Sequence, residues 1–431
     1  MTAQKKVLAV LIGGLFVGSL LTACGGGGSS APTVAPQSLT GFGVDGYIAG
    51  ATVFLDLNNN GVADGGEPST MTDAQGKYTL SAISLLPGQT LASSQLVLVG
   101  GTDTGTGKPF IGSMTAKPDS AQEFNKITSL TSLANAMISS GAATSLGDAT
   151  EKLGKVLGLS SDNVTADPMV AVLQDPAILQ KAVAMQKAIE VLAAAEAGAN
   201  ASDAAKAEAV KKATSAIAQN IAQLSSTVNA SQPETLPSVA VLVTSTVNTF
   251  GSGFTQLTAV QKVTQAAADM AKVTEVVIAA QVAELITTSG LTNNSSAADI
   301  ANAVQQSVNT SVAGLANLQN LIVDAATNAQ SAPAGATLSV AEQIATNPTE
   351  LGGSTQANLV ANVVTAAQTA AVINVTLANA AATATTLSSV AQVASQAKVE
   401  LPTVTPTAAP TAAPTAAPTA EIGRASCRER V

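Results

Sequence analysis

Apolar residues recur with two different periods along the chain, and the change falls near residue 118. Between residues 39 and 118 they occupy alternate positions in short runs, as in Thr52–Asp56 and 77–82, and residues 95–99 form a third apolar run. Alternation of this kind is typical of strands. Turns that contain glycine, such as 73–76, lie between the runs. Short strands joined by such turns predict a small β-sandwich.

Residues 119–399 follow a helical period instead. Apolar residues recur there at steps of three and four, or at heptad spacing, as in Ile178, Ala182, Met185, Ile189 and Leu192, in Val210, Ile217, Ile221 and Leu224, and in Val308, Leu315 and Ile322. These alanine-rich stripes predict amphipathic helices that pack within a bundle, and a face that binds a partner is the alternative. The predicted fold class is therefore α+β multidomain, with a small β-sandwich followed by a long Ala-rich all-α region.

The first residues have the layout of a secretory signal. Lys5 and Lys6 form a basic start, residues 7–21 are almost wholly apolar, and small residues follow. A transmembrane helix needs about 20 apolar residues, so this run is short for one, and an uncleaved N-terminal anchor is the alternative. We expect residues 1–23 to be a signal peptide and residues 24–38, which are rich in glycine, serine and proline, to be a flexible tether.

The sequence Leu21, Thr22, Ala23, Cys24 resembles the lipobox of bacterial lipoproteins. The resemblance implies cleavage before Cys24, a thioether-linked diacylglycerol on that cysteine, and a third acyl chain on the new N-terminus. Two or three chains anchor a protein firmly, because each buried methylene adds about 0.8 kcal/mol. Gly25 follows the cysteine, which in Gram-negative lipoproteins implies the outer membrane.

Two further segments follow the helical zone. Proline recurs at every fourth position within residues 400–420, which excludes a helix and predicts an extended Pro-Thr-Ala spacer. Residues 421–431 differ abruptly in composition and resemble a translated sequencing adapter. We expect them to be an artefact, with different coding sequence after residue 420, and a genuine basic tail is the alternative.

Composition excludes several kinds of chemistry. The formal net charge is −9, and an acidic chain without a basic cluster argues against a nucleic-acid partner. Histidine is absent, which removes Ser-His and Cys-His catalysis and the usual zinc sites. Tryptophan is absent and aromatic residues make up 2% of the chain, so we do not expect an aromatic-lined pocket. Cys427 lies in the adapter-like segment, so it is no disulfide partner for Cys24.

Residues 56–67 match the spacing of a calcium-binding loop. Side-chain oxygens stand at loop positions 1, 3, 5, 9 and 12, glycine stands at position 6, and a backbone carbonyl is available at position 7. The predicted ligands are Asp56, Asn58, Asn60, Val62, Asp64 and Glu67. An apolar strand leads in and Pro68 leads out, so the scaffold is β rather than an EF-hand. Three carboxylates favour an affinity of about 10⁻⁴ to 10⁻³ M, and an Asn/Gly-rich hairpin turn without an ion is the alternative.

Residues 45–56, the loop itself and residues 67–78 together resemble the calcium-binding B-type repeats of bacterial surface adhesins. They are also similar to the related carboxypeptidase-regulatory-like sandwiches. The resemblance covers roughly residues 40–160 and implies an immunoglobulin-like fold, a structural calcium ion held by the same six ligands, and no catalytic site. Asn58 and Asn60 are departures, because adhesin repeats often have aspartate there. The helical remainder resembles no family.

Three functions are compatible with these features. The first is a lipid-anchored cell-envelope or surface protein that acts in adhesion, envelope structure or display, with an envelope protein, surface protein or polysaccharide as partner. The second is a periplasm-facing lipoprotein that binds a solute or polymer. The third, an enzyme, is not expected. Glu190 and Asp269 could act as acid or base, but nothing in the sequence pairs them, and we expect both to be solvated. Lys187 also lies off the apolar stripe.

Replacing Cys24 tests the lipid anchor. In a Gram-negative host, the wild-type chain is expected to incorporate labelled palmitate and to partition into detergent, because acyl chains add a large apolar surface. Cys24→Ser removes the sulfur that accepts the lipid and should abolish the label, whereas the matched control Cys427→Ser should keep it. A wild-type chain that is soluble and unlabelled would contradict the predicted localisation.

Overall fold

The computed structural model describes residues 37–307, apart from 86–87, 106, 111, 121–124, 199–200, 230–235, 247–256 and 293, together with Gln319. All of these residues belong to one compact unit that begins at Gln37. The predicted signal peptide, Cys24, the heptad residues 308–322, the spacer and the adapter-like tail lie outside the described residues.

Strands come first in the described chain, and helices follow. The strands are β1 Gln37–Gly43, β2 Ile48–Ala49, β3 Thr52–Asp56, β4 Ser69–Met71, β5 Lys77–Ile83, β6 Gln95–Val99, β7 Thr102–Asp103, β8 Lys108–Pro109, β9 Ser113–Ala116 and β10 Asn125–Ile127, with a 3₁₀ turn at Leu91–Ser93. The helices are α1 Ser129–Ser139, α2 Leu146–Leu157, α3 Ser161–Thr165, α4 Pro168–Ala171, α5 Pro176–Ala197, α6 Asp203–Leu224, α7 Val239–Thr244 and α8 Leu257–Thr288, and residues 297–307 are also helical. The α+β class predicted from the two periods is confirmed.

The β region contains two larger sheets that share one apolar core. One sheet has the order β4-β3-β6-β9 and is antiparallel throughout; the other has the order β10-β1-β5, and a small third sheet is β2-β7-β8. The core combines side chains from both larger sheets, namely Leu39, Tyr78, Leu80 and Ile127 from one and Val53, Leu55, Leu96, Leu98 and Met114 from the other. Burial of these side chains is the main force that holds the strands together.

Strand β10 extends the β region past residue 118. It pairs in parallel with β1, with Gly41 opposite Asn125, and the Tyr78 hydroxyl donates to the Asn125 carbonyl oxygen at 3.0 Å. The two strands approach so closely that a Cβ built on Gly41 would lie 1.7 Å from that oxygen. Glycine is therefore required at position 41, and the β region is complete only at Ile127.

The four-stranded sheet is buried on both faces, which alternation alone did not predict. Phe54 and Asp56, which alternate with the core residues of β3, are 2% and 0% exposed. Helix α1 covers this second face: the Thr115 backbone N–H donates to the Ser132 hydroxyl at 2.8 Å. Thr128 starts the helix with a capping box, in which its side chain accepts from the backbone of residue 131. This face therefore contributes buried residues that the alternation along β3 did not assign to the core.

Helix α5 lies at the centre of the helical region and contacts both α6 and α8. Its N-terminus is capped by Asp175, which accepts from the Ala177 N–H at 3.1 Å, and Pro176 opens the first turn. The predicted apolar stripe is buried, and so are residues on its other faces, including Val183, Gln186, Lys187, Glu190 and Val191. A helix that is buried on nearly all sides must satisfy its polar side chains inside the protein.

Lys187 on α5 forms a buried ion-pair cluster with Asp45 and Glu190. Its Nζ lies 3.1 Å from Asp45 Oδ2 and 3.4 Å from Glu190 Oε2, and the three side chains are at most 6% exposed. The Gln186 amide donates to Glu190 Oε1 at 3.1 Å, and the Gln319 side chain donates to Oε2. Asp45 follows β1, so this cluster links the β region to the helical region. The predicted solvation of Glu190 is therefore wrong, and Lys187, which lies off the apolar stripe, is buried as well.

The ionisation of the cluster follows from its burial. Burial raises the pKa of Asp45 and of Glu190, and the nearby Lys187 ammonium opposes that rise without cancelling it. Burial alone would lower the pKa of Lys187, but the two carboxylates raise it above its ordinary value. Lys187 therefore stays charged and holds the two acids together.

Asp269 on α8 is a second acid for which the predicted solvation is wrong. It is 7% exposed, and the Gln265 amide donates to its Oδ1 at 2.8 Å.

Among the helices in the described part of the chain, none combines the length and the apolar character needed to cross a membrane.

Removing the cation from the cluster tests its structural role. Lys187→Met should lower the free energy of unfolding by about 3–5 kcal/mol, because two acids would be left in the interior without their partner. Lys206→Met is the matched control: Lys206 pairs with Asp203 at 3.4 Å in a solvent-exposed pair, and its loss should change the stability little. Urea denaturation of both variants measures the difference, and equal losses would contradict the proposed role.

Candidate calcium site

Asp56 ends β3 and organises the start of the loop. It is fully buried and pairs across the sheet with Gln95. Its Oδ2 accepts from the Gly61 backbone N–H at 2.7 Å, and its Oδ1 accepts from the Asn60 N–H at 3.2 Å. These bonds fold the loop back onto its first residue. Gly61 has a φ of 81°, a conformation that glycine adopts at little cost, which allows the sharp turn at loop position 6.

Glu67 closes the other end of the loop with both of its carboxylate oxygens. Oε1 accepts from the Leu57 N–H at 2.8 Å, and Oε2 accepts from the Asp64 N–H at 3.0 Å. The backbone then returns to the sheet, where the Leu55 N–H donates to the Pro68 carbonyl at 2.9 Å. The loop is thus held by its first and last predicted ligands.

Asp64 brings the middle of the loop together. Its Oδ2 accepts from the Asn58 amide at 2.8 Å and from the Asn60 amide at 2.7 Å. The Asn60 amide oxygen in turn accepts from the Val62 N–H at 2.7 Å. The side chains at positions 3, 5 and 9 therefore meet on the exposed side of the loop. The Val62 side chain is 51% exposed, and the predicted role of this residue involves only its carbonyl.

The donor chemistry of the loop fits a hard cation. Five side chains and one carbonyl offer oxygen ligands, which is the set that calcium prefers. Within residues 37–307, leaving out the gaps, no three histidine, cysteine or acidic side chains converge as a metal-holding group. The loop acids instead accept N–H donors, and the asparagine amides direct their N–H groups at Asp64. To hold calcium, Asn58 and Asn60 would present their amide oxygens in place of those N–H groups.

A polar chain leads from the loop into the protein interior. The Gln95 amide donates to Asp56 Oδ2 at 2.8 Å, and the Asn135 amide on α1 donates to Gln95 Oε1 at 2.6 Å. Asn135 also donates to the Thr115 hydroxyl at 3.0 Å. Sequence reasoning missed Gln95 and Asn135 as partners of the loop, because they lie 40 residues apart and no local pattern connects them.

A cavity of about 300 Å³ lies beside this chain. The loop, strands β6 and β9, helix α1 and helix α6 contribute to its wall. Gln95, Thr115, Ser132 and Asn135 supply polar groups, and Val97 and Val210 are among its apolar residues. The cavity has the size of a small-molecule site and adjoins the predicted calcium loop.

No protein-family model matches the chain, and neither a curated protein nor a solved structure matches it.

Calcium should raise the melting temperature of the full chain relative to chelator. Calcium that binds only the native state adds RT ln(1 + [L]/Kd) to the free energy of unfolding, which is about 2.7 kcal/mol at a calcium concentration of 100 times Kd. Asp64→Asn should remove most of this gain, because it removes one of the three loop carboxylates. Asp64 is exposed, so its substitution spares the buried hydrogen bonds of Asp56. Magnesium should substitute poorly, because it demands a tighter octahedral shell.

Asp73→Asn is the matched control for this experiment. Asp73 is likewise an exposed turn residue, and its Oδ1 accepts from the Gln75 and Lys77 N–H groups at 2.9 Å. Its substitution should leave the calcium shift intact, as measured by calorimetry. A wild-type melting temperature indifferent to calcium up to about 10 mM would identify the loop as an Asn/Gly-rich turn without an ion.

Proposed function

We propose that this protein is a lipid-anchored component of the bacterial cell envelope, located in the outer membrane and facing the cell surface. In this proposal it acts in adhesion, envelope structure or display, with an envelope protein, surface protein or polysaccharide as partner. The observation that carries the proposal is the loop from Asp56 to Glu67, whose first and last predicted ligands already fold it into a closed turn.

The β region supports the structural side of this proposal. Two sheets share one core, which is compatible with an immunoglobulin-like sandwich of the adhesin B-type. Asp56, Asn58, Asn60, Val62, Asp64 and Glu67 would hold calcium, and the ion would supply the positive charge that offsets three nearby carboxylates. A domain stiffened in this way would keep its shape outside the cell, where calcium is abundant.

The membrane attachment in this proposal rests on Cys24. Leu21 to Cys24 supply the lipobox, and the predicted tether of residues 24–38 would follow the lipidated cysteine. Cys24→Ser, described above, tests this part of the proposal independently of calcium.

We propose a binding or structural role rather than catalysis. Glu190 and Asp269, the acids considered as candidate acid or base, are both buried and hydrogen-bonded to carboxamides. Glu190 is also held by Lys187. These contacts suit a role in packing, and neither residue lines the cavity beside the loop.

A second candidate function is solute or polymer binding by a periplasm-facing lipoprotein. The cavity between the four-stranded sheet, α1 and α6 favours it, because a concave site with several polar groups is typical of small-molecule binding.

Protease treatment of intact cells separates the two candidates. A surface-facing chain should be cut, because its exposed segments, such as residues 62–66, would be accessible to protease, whereas a periplasm-facing chain should be protected by the outer membrane. Immunoblots before and after treatment measure the loss of full-length protein. A periplasmic soluble protein is the control for membrane integrity, and full protection of this chain in intact cells, followed by cleavage after lysis, would reject the surface location.

A further inference from the structure

We propose that Lys187 and Asp45 condense into an intramolecular amide bond, with Glu190 as the general acid–base group that moves the protons. The bond would join helix α5 to the turn after β1 and would close a covalent loop across 142 positions of the chain. This inference goes beyond the proposed function, and it depends neither on calcium nor on the lipid anchor.

The first observation is the distance between the reacting groups. Lys187 Nζ lies 3.1 Å from Asp45 Oδ2, which is bonded to the carbon that the nitrogen would attack. Groups held in reach of attack, about 3–3.5 Å apart, can react as if one were present at a concentration of about 10⁵–10⁸ M. An amine and an acid condense little in water, and so high an effective concentration shifts the balance towards the amide.

The second observation is the burial of the site. The side chains of Lys187, Asp45 and Glu190 are at most 6% exposed, so water has little access to hydrolyse an amide there. Condensation also replaces a charged pair by a neutral amide in the interior, where charges are costly. A surface pair, such as Lys206 with Asp203, would gain no such advantage.

The third observation is the acid beside the pair. Glu190 Oε2 lies 3.4 Å from Lys187 Nζ, and the Gln186 amide holds Glu190 Oε1 at 3.1 Å. Condensation needs a base that takes a proton from the ammonium and an acid that gives one to the departing oxygen, and one carboxyl group can do both in turn. Burial raises the pKa of Asp45 and of Glu190, which favours the protonated forms that the reaction uses.

The reaction begins with Lys187 as an ammonium, Asp45 as a neutral carboxyl and Glu190 as a carboxylate. One proton moves from Nζ to Glu190, and the resulting amine forms a bond to Asp45 Cγ. The bond between Cγ and one carboxyl oxygen then breaks. That oxygen leaves as water, with its own proton and a second proton from Nζ that Glu190 relays. Glu190 ends as a neutral acid, the amide nitrogen keeps one proton, and the net charge is unchanged.

The charge on Lys187 determines the speed of this reaction. The neighbouring carboxylates raise the pKa of Lys187, so the neutral amine is a minor form and bond formation is slow. Each bond that forms nevertheless persists, because the site excludes water. The linked form therefore accumulates in the folded chain with time.

Peptide mapping of the folded full chain by mass spectrometry tests the proposal. The chain is unfolded in denaturant and digested with trypsin and chymotrypsin, and cuts after Phe42 and Tyr47 leave Asp45 in a short peptide. We expect this peptide to be joined to the one that contains Lys187, with a total mass lower by one water molecule than the sum of the two. Trypsin should also fail to cut after Lys187, whose side chain would no longer be charged. An unlinked peptide 43–47 and complete cleavage after Lys187 would overturn the proposal and leave an ion pair only.

Glu190→Gln tests the proton transfer. The variant keeps the size of the side chain but cannot carry the proton, so in chains made by cell-free synthesis the linked fraction should grow at least about a hundredfold more slowly. A circular dichroism spectrum like that of the wild type establishes that the variant is folded. If it is not folded, the map of the wild-type chain alone decides whether the bond exists.

Asp103→Asn is the matched control. Asp103 is a further buried acid whose charge acts on Lys187, but its Oδ1 accepts from the Gly105 backbone N–H at 2.8 Å, and we assign it no part in the proton transfer. Its variant should still form the bond at a rate within a few-fold of the wild-type rate. Linkage in folded Glu190→Gln that is as fast as in this control would reject Glu190 as the acid–base group.

Discussion

The structure depends on how a central, almost fully buried helix accommodates its charges. Helix α5 packs against α6 and α8, and its Lys187 side chain is only 6% exposed where it meets Asp45. The cluster with Asp45 and Glu190 solves this problem and joins the two regions of the molecule. A buried ion pair is rarely a large net source of stability, but it penalises every arrangement in which one partner is unmatched. It therefore specifies how the helices meet the β region.

Local patterns predicted the elements of this fold well. The strands Thr52–Asp56 and Gln95–Val99, the apolar stripe of α5 and the α+β class are confirmed. The turn at 73–76 is also confirmed, and Gly76 has the positive φ of 70° that such a turn uses. Each of these features is determined by residues within one or two turns of the chain. The immunoglobulin-like fold, the calcium ion and the lipid stay predictions.

Long-range contacts could not be predicted in the same way. The cover over β9 depends on α1, which begins at Ser129, and the ion pair of Lys187 depends on Asp45, 142 positions away. The link between Asp56, Gln95 and Asn135 likewise requires the sheet register and the placement of α1. For the candidate site, spacing predicted that the loop closes on itself, and only the fold revealed that its first residue orients side chains in the interior.

The parallel pairing of β10 with β1 determines how much of the chain must be synthesised before the sheet β10-β1-β5 can be completed. β1 must wait for residue 127 before its sheet closes, and Asp45 must wait for residue 187 before its charge is matched. During synthesis from the N-terminus, β1 therefore lacks one of its two neighbouring strands until the residues of β10 have been made. Non-local closure of this kind slows folding and leaves strand edges open for longer. The β1 edge is thus open until residue 127 has been made, and Asp45 lacks its cation for a further sixty residues, until residue 187 has been made.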